Sequence, residues 1–167
     1  MVDQPDGDGT RGGRAVDEDA RAIKALADRG EIAAALNAEH QTIEGGLHTL
    51  GDAVLAGANK DVLTQLVSMV VNFCVDHFAS EEQVLRDNGY LEIDAHADAH
   101  RQLLKAFRAA HTAMEEGQLE ATLDVSDLLM HLHEHIAGFD EPAYAQCGMG
   151  KAEWQRPEIP SAEFRVP

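Results

Sequence analysis

Residues 77–100 read HFASEEQVLRDNGYLEIDAHADAH, two helical segments separated by an Asn-Gly turn. His77 and Glu81 precede the turn and are four residues apart, and His96 and His100, which follow it, have the same spacing. Residues four apart lie on one face of an α-helix, so each pair can reach one metal ion. An Asn-Gly pair is typical of a helix end. The stretch therefore predicts two neighbouring helices, each with a pair of candidate metal ligands.

Apolar residues recur at helical spacing through most of the chain. The predicted helices cover about Glu31–Leu55, Lys60–Asp87, Leu91–Glu116 and Leu119–Ala137, with a short leading helix over Asp17–Ala27 that ends at Arg29-Gly30. Short connections between long helices favour antiparallel neighbours. The predicted fold is all-α: an up-down-up-down four-helix bundle over residues 17–147, with a flexible N-terminal arm (1–16) and an irregular C-terminal tail (148–167).

Composition excludes several classes of partner. The 167 residues include 30 acidic and 13 basic side chains, a net charge of −17. Such a chain repels phosphate backbones and anionic lipid, so we expect neither nucleic acid nor a membrane as partner. The N-terminus lacks the pattern of a signal peptide, and two cysteines are too few for a disulfide scaffold, so we expect a cytoplasmic protein. The nine histidines are the unusual feature.

Three further candidate ligands lie outside the opening stretch. His40 lies on the apolar stripe of the first predicted helix, and His135 and Asp140 are five residues apart in the fourth. Five residues turn an ideal helix by about 140°, so Asp140 misses the face of His135 unless the helix is irregular. Gly138 lies where such a departure is easiest.

The candidate ligands also fall at one level of the bundle. His40 is 15 residues before the end of its helix at Leu55, and His77 is 17 residues after the start of the next at Lys60. At 1.5 Å per residue these lengths differ by about 3 Å, so the two histidines can meet.

A single buried histidine is more often an ordinary hydrogen-bonded side chain than a metal ligand. Five imidazoles and two carboxylates at one level are different, because without cations they would leave buried polar groups and charges uncompensated. Imidazole and carboxylate suit Fe, Mn and Zn. Seven ligands exceed the need of one ion and suit two, if the carboxylates bridge them.

The combined motif resembles the hemerythrins, especially the bacterial ones, over about Ala38–Tyr144. It consists of a lone His, then HFASEE, then AHADAH after a Tyr, then HIAGFD followed by Tyr144. The resemblance implies an oxo- or hydroxo-bridged pair of iron ions that binds dioxygen reversibly, for carriage, storage or sensing, without being an enzyme. It also implies that one iron is held by His96, His100 and His135 and the other by His40 and His77, with Glu81 and Asp140 bridging.

Some positions depart from that family's pattern. His131 replaces the usual Trp and is a candidate for contact with the ligands, while Phe73, Phe78 and Leu104 are candidate pocket walls. The Gly45-Gly46 pair is unusual inside a helix, where each Gly costs about 1 kcal/mol. The remaining histidines are not expected to bind the metal: His48 and His133 are expected at the surface, and His111 lies three turns past His100.

Two other classes of function stay open from the sequence. One is a di-iron oxidase, peroxidase or nitric-oxide-handling protein on the same scaffold. The other is an oxygen or redox signalling protein that acts on a protein partner through its tail, in which Trp154 and Phe164 are candidate docking residues. Iron storage is a weaker alternative, because one buried site holds little iron.

Overall fold

The structure, a computed structural model, describes residues 10–117 and 125–150, the side chains of residues 10–23, 26 and 27 excepted. Its elements are α1 (Thr10–Leu55), α2 (Lys60–Asp87), α3 (Ile93–Glu115), α4 (Val125–His135), a π-helical turn (Ile136–Asp140) and α5 (Glu141–Gln146). The described part of the chain contains helices and turns and no strand. The predicted all-α fold class is confirmed.

Local sequence explains where α2 begins and ends. The side chain of Asn59 accepts a hydrogen bond from the backbone N–H of Val62, which satisfies one of the free donors at the helix start. At the other end Gly89 has a φ of 75°, a left-handed conformation that glycine adopts without strain. The N–H of Tyr90 then donates to the carbonyl of Leu85 and closes the helix.

Neighbouring helices run antiparallel. His77 of α2 contacts Glu39 of α1, while Val70, seven residues earlier, contacts Gly46, seven residues later. The other neighbouring pairs show the same reversal. Between α2 and α3, Glu82 contacts His100, while the earlier Ser68 contacts the later His111. Between α1 and α4 with the turn that follows it, Glu44 contacts His133, while the earlier His40 contacts the later Asp140.

The Gly45-Gly46 pair has a partial explanation. A Cβ atom on Gly46 would lie 2.8 Å from Cγ2 of Val70, so the glycine lets α1 and α2 approach closely. Nothing lies within 4 Å of a Cβ built on Gly45, and the structure offers no reason for that residue.

The predicted break at Arg29-Gly30 is wrong, because α1 continues from Thr10 through Gly30 to Leu55. A single internal Gly costs only about 1 kcal/mol, and the alanine-rich EIAAAL that follows favours a helix. Residues 10–16, expected in a flexible arm, belong to α1. Residues 1–9 of the arm, 151–167 of the tail, and 118–124, where the fourth helix was expected to begin, lie outside the described residues.

Two apolar clusters fill the bundle. The larger lies around Leu47, Val67, Phe107 and Leu129, and the smaller around Leu36, Leu85, Tyr90 and Tyr144. A layer of buried polar residues separates the two clusters. On α1 it includes His40, and on α2 it includes Glu81.

By length and composition alone, α2 is long and apolar enough to cross a membrane, and it is the one such helix within residues 10–117 and 125–150. Core helices of bundles meet the same criterion, and α2 buries one face that includes Leu63, Val67 and Val70. The feature is weak evidence for a membrane span.

Candidate metal centre

The buried polar layer contains every residue that the sequence predicted as a metal ligand. None of these seven candidates has more than 5% of its surface exposed: His40, His77, Glu81, His96, His100, His135 and Asp140. Each of the helices α1 to α4 contributes at least one of them, and the turn after α4 contributes Asp140. The structure therefore brings all seven candidates together.

Within the layer, potential ligand atoms form two groups in which all members lie within 4.8 Å of one another. The five-residue group consists of Glu81, His96, His100, His135 and Asp140, and the three-residue group consists of His40, His77 and Glu81. Glu81 belongs to both. A carboxylate shared by two groups suits two neighbouring cations, because its two oxygens can bind one cation each.

Asp140 also reaches both groups. Its Oδ1 lies 3.0 Å from Nε2 of His135 and 3.3 Å from Nε2 of His96. Its Oδ2 lies 3.2 Å from Nε2 of His40. The second carboxylate thus faces the three-residue group with one oxygen and the five-residue group with the other.

The π-helical turn explains how Asp140 can lie beside His135. The backbone N–H of Glu141 donates to the carbonyl of Ile136, five residues earlier, so the turn is wider than an α-helical one. The irregularity predicted near Gly138 is confirmed.

Several inward-facing polar atoms lack hydrogen bonds. Among the described residues, Nε2 of His40, His77, His100 and His135 and both oxygens of Asp140 make no contact with hydrogen-bond geometry. This holds although Nε2 of His40, His100 and His135 each lies 3.0–3.2 Å from a carboxylate oxygen. An unsatisfied buried polar atom costs about 1–3 kcal/mol, and imidazole nitrogen and carboxylate oxygen are good ligands for divalent transition metals. The donor set therefore fits bound metal ions.

Comparison with known proteins agrees with the family resemblance of the sequence motif. The family model of the hemerythrin HHE cation-binding domain matches residues 15–147. The chain belongs to the hemerythrin family. Bacteriohemerythrin from Methylococcus capsulatus is 26% identical over 110 residues, which cover 65% of this chain and 82% of that protein. No solved structure matches significantly.

Two outer carboxylates orient histidines of this hemerythrin site. Oε2 of Glu39 lies 2.7 Å from Nδ1 of His77, and Oε1 of Glu82 lies 3.1 Å from Nδ1 of His100. Each contact leaves the Nε2 atom free to face the centre of the layer. Sequence reasoning missed both carboxylates, although each directly adjoins a predicted ligand.

Tyr144 holds the shared carboxylate, since its hydroxyl donates a hydrogen bond to Oε1 of Glu81. Burial and the charge of Glu81 raise the pKa of Tyr144, so the phenol stays protonated and can donate. Burial alone would raise the pKa of Glu81, but the imidazoles of His100 and His96, whose Nε2 atoms lie 3.0 Å and 3.4 Å from its Oε2, outweigh burial and hold that pKa well below its usual range. The bridging candidate is therefore an ionised carboxylate.

Aromatic rings cover two histidines of the five-residue group. Phe78 stacks on His100 with ring centroids 4.0 Å apart, and Phe139 stacks on His135 at 5.2 Å. Phe78 is buried, as expected of a pocket wall, while Phe139 is 39% exposed.

The other predicted pocket residues have different outcomes. Leu104 is half-buried against the larger apolar cluster. Phe73 does not line the site, because 36% of its surface is exposed on α2. His131 is exposed and lines a groove of about 400 Å³ between α3 and α4, next to His135 and Phe139.

The expected surface position of His133 is wrong. Only 1% of it is exposed, and its Nε2 lies 3.0 Å from Oε1 of Glu44. At about 100° per residue, His133 and His135 occupy opposite edges of a buried arc about 160° wide. A helix that packs against both α1 and α3 buries both edges, so an angle of 200° from a ligand does not mean exposure. His48 is half-buried. His111 forms a hydrogen bond with the hydroxyl of Ser68, away from the polar layer.

Proposed function

We propose that this chain binds two iron ions in the polar layer and binds dioxygen reversibly there, as an oxygen carrier, store or sensor. The observation that carries the proposal is the pair of ligand groups joined by Glu81. Membership of the hemerythrin family and the likeness to a bacteriohemerythrin support it. On that likeness we also propose that the protein works in the cytoplasm.

In this proposal one ion would be held by His96, His100 and His135, and the other by His40 and His77. Glu81 and Asp140 would hold both ions, since each reaches both groups. Iron would supply the electrons that dioxygen takes up on binding. The three-residue group has fewer protein ligands, so dioxygen would bind on its side.

The protein's own groups have three tasks. Glu39 fixes the tautomer and direction of His77, and Tyr144 fixes Glu81 through its hydroxyl proton. Around the layer, Ile43, Phe78 and Ile136 are at most 2% exposed and exclude water. Water exclusion is what makes binding reversible instead of oxidising.

We propose a binding protein and not an oxidase or peroxidase. Burial raises the pKa of Cys74 to about 12, so this thiol stays protonated and is a poor redox partner. Nitric oxide could occupy the same position as dioxygen. A signalling role through residues 151–167 concerns a part of the chain outside the described residues.

The test combines metal analysis with a spectrum. The protein reconstituted with ferrous iron should hold two iron ions per chain, and its spectrum should change on exposure to air and return on removal of oxygen. Zinc-loaded protein is the control and should show no change. One ion or fewer per folded, fully loaded chain, or a change that never reverses, would contradict the proposal. Sustained production of hydrogen peroxide would favour an oxidase instead.

A further inference from the structure

A further cluster of metal-binding side chains lies outside the two ligand groups, one helical turn beyond His40. Nε2 of His133 on α4 lies 3.0 Å from Oε1 of Glu44 on α1, and Nε2 of His48 lies 3.8 Å from the same oxygen. We call Glu44, His48 and His133 the outer cluster. None of the three belongs to either ligand group.

The outer cluster continues a row of side chains that starts at the three-residue group. His40, Glu44 and His48 are spaced four residues apart on α1, so they lie on successive turns of one side of the helix, about 6 Å apart. Exposure rises along the row, from 1% for His40 and 7% for Glu44 to 43% for the side chain of His48. The row therefore leads from solvent to the three-residue group.

Packing does not explain the buried polar pair in this cluster. Along α1, Glu44 lies between Ile43 and Leu47, two residues of the larger apolar cluster. On α4, His133 follows Leu132 of the same cluster. Glu44 and His133 are 7% and 1% exposed, and replacing such a pair by well-packed apolar residues is often neutral or stabilising. The pair therefore points to a function other than stability.

The donor set of the outer cluster suits a divalent transition-metal ion. Three protein ligands are usual at zinc sites that keep one position open, and imidazole and carboxylate also bind ferrous iron. The cluster is looser than the two ligand groups, in each of which all potential ligand atoms lie within 4.8 Å of one another. A site with three ligands, one of them half-exposed, binds an ion weakly and releases it readily.

We propose that the outer cluster is a loading site, which takes a divalent transition-metal ion from solvent and passes it to the three-residue group. His48 meets the ion first, because it is the exposed member. Glu44 and His133 then replace water around the ion, one turn from His40. This inference rests on the proposed function, because the route ends at the proposed metal centre.

The first measurement counts metal on the full-length protein that already holds two iron ions. Dialysis against zinc should add one zinc ion per chain with both iron ions retained, and His48→Ala should fail to take up this zinc. His111→Ala is the matched control, because His111 also lies four residues from a glutamate, with Nδ1 3.7 Å from Oε2 of Glu115. Its Nε2 contacts the hydroxyl of Ser68, however, where the outer cluster has a second imidazole. His111→Ala should therefore keep the added zinc.

The second measurement tests the route. The loaded, reduced protein is mixed with isotopically labelled ferrous iron in the absence of oxygen, and the exchange of bound iron is followed by mass spectrometry. His48→Ala should slow the exchange of one of the two ions several-fold and leave the iron count at two, since both ligand groups are unchanged. His111→Ala should exchange both ions at the rates of the wild type.

Three results would overturn the proposal. The first is a total of two metal ions per chain after dialysis against zinc, and the second is an added zinc ion that His48→Ala retains. The third is exchange that His48→Ala does not slow. Failure of the proposed function is visible separately, because the wild type would then hold fewer than two iron ions before zinc is added.

Discussion

The two ligand groups of the polar layer differ in number and in what surrounds them. The five-residue group has three imidazoles and both carboxylates, and two of its imidazoles are stacked by Phe78 and Phe139. The three-residue group has two imidazoles and Glu81, with Asp140 in reach of His40. The five-residue group therefore offers more protein ligands than the three-residue group.

In the proposed centre, this difference would separate firm retention of one ion from binding of dioxygen at the other. A metal ion with a full set of protein ligands is held firmly but has no position for another molecule. An ion with fewer ligands can accept one, but depends more on each ligand that it has. We therefore expect equal damage to the two groups to have unequal effects.

Removal of the shared carboxylate should have the largest effect. Glu81→Ala removes a ligand from both groups and leaves the hydroxyl of Tyr144 without its acceptor. Stoichiometry should fall from two iron ions to one or fewer, and the di-iron spectrum should disappear. His77→Ala damages only the three-residue group and should leave one ion bound.

Metal analysis and calorimetric titration of both variants check this prediction, with circular dichroism to confirm folding. If Glu81→Ala kept two ions while His77→Ala lost both, Glu81 would not be the residue shared between them.

The outer carboxylates should have intermediate effects that differ between the groups. Glu39→Gln and Glu82→Gln are matched changes, because each removes the charge beside one histidine Nδ1. Loss of such a partner commonly costs 10–100-fold in metal affinity. Glu39→Gln should lower metal affinity by close to 100-fold, because the three-residue group has few other ligands. Glu82→Gln should lower it by only about tenfold. A competition titration with a chelator measures both, and equal losses would contradict the proposed inequality.

Sequence alone predicted the all-α fold, and it selected the seven side chains that the structure brings together, because residue spacing and helix length are local properties. That these side chains bind metal stays a prediction. The π-helical turn was also predictable, since five residues separate His135 from Asp140 and a glycine lies between them. The buried position of His133 was not, because it depends on how wide an arc of α4 its neighbours cover.

The outer carboxylates were not predicted for a similar reason. Glu39 and Glu82 look like solvated charges in a chain with 30 acidic residues. Only the packing of α2 against α1 and α3 shows that each faces a histidine of another helix. The continuous α1 was missed because local signals at Gly30 indicate a possible helix end, while the helix formers that follow decide against it.

The smallest expected effect concerns the rate of metal loss, and it should reverse the order of the two groups. His135 is 5% exposed, more than any other of the seven candidate ligands, and it lines the groove between α3 and α4. Phe139 stacks on its ring and is the large apolar side chain between that ring and solvent. The five-residue group is thus the one with a candidate ligand near the surface.

Phe139→Ala should therefore speed the release of one of the two ions to a chelator several-fold, with equilibrium stoichiometry unchanged. Phe139→Leu keeps an apolar side chain over His135, so its release rate should lie between those of Phe139→Ala and the wild type. Phe73→Ala is the control, because Phe73 is similarly exposed at 36% but does not contact the layer, and its release rates should equal those of the wild type. Stopped-flow chelation resolves the two ions as separate phases. Acceleration of both phases, or of neither, would show that Phe139 does not cover the five-residue group selectively.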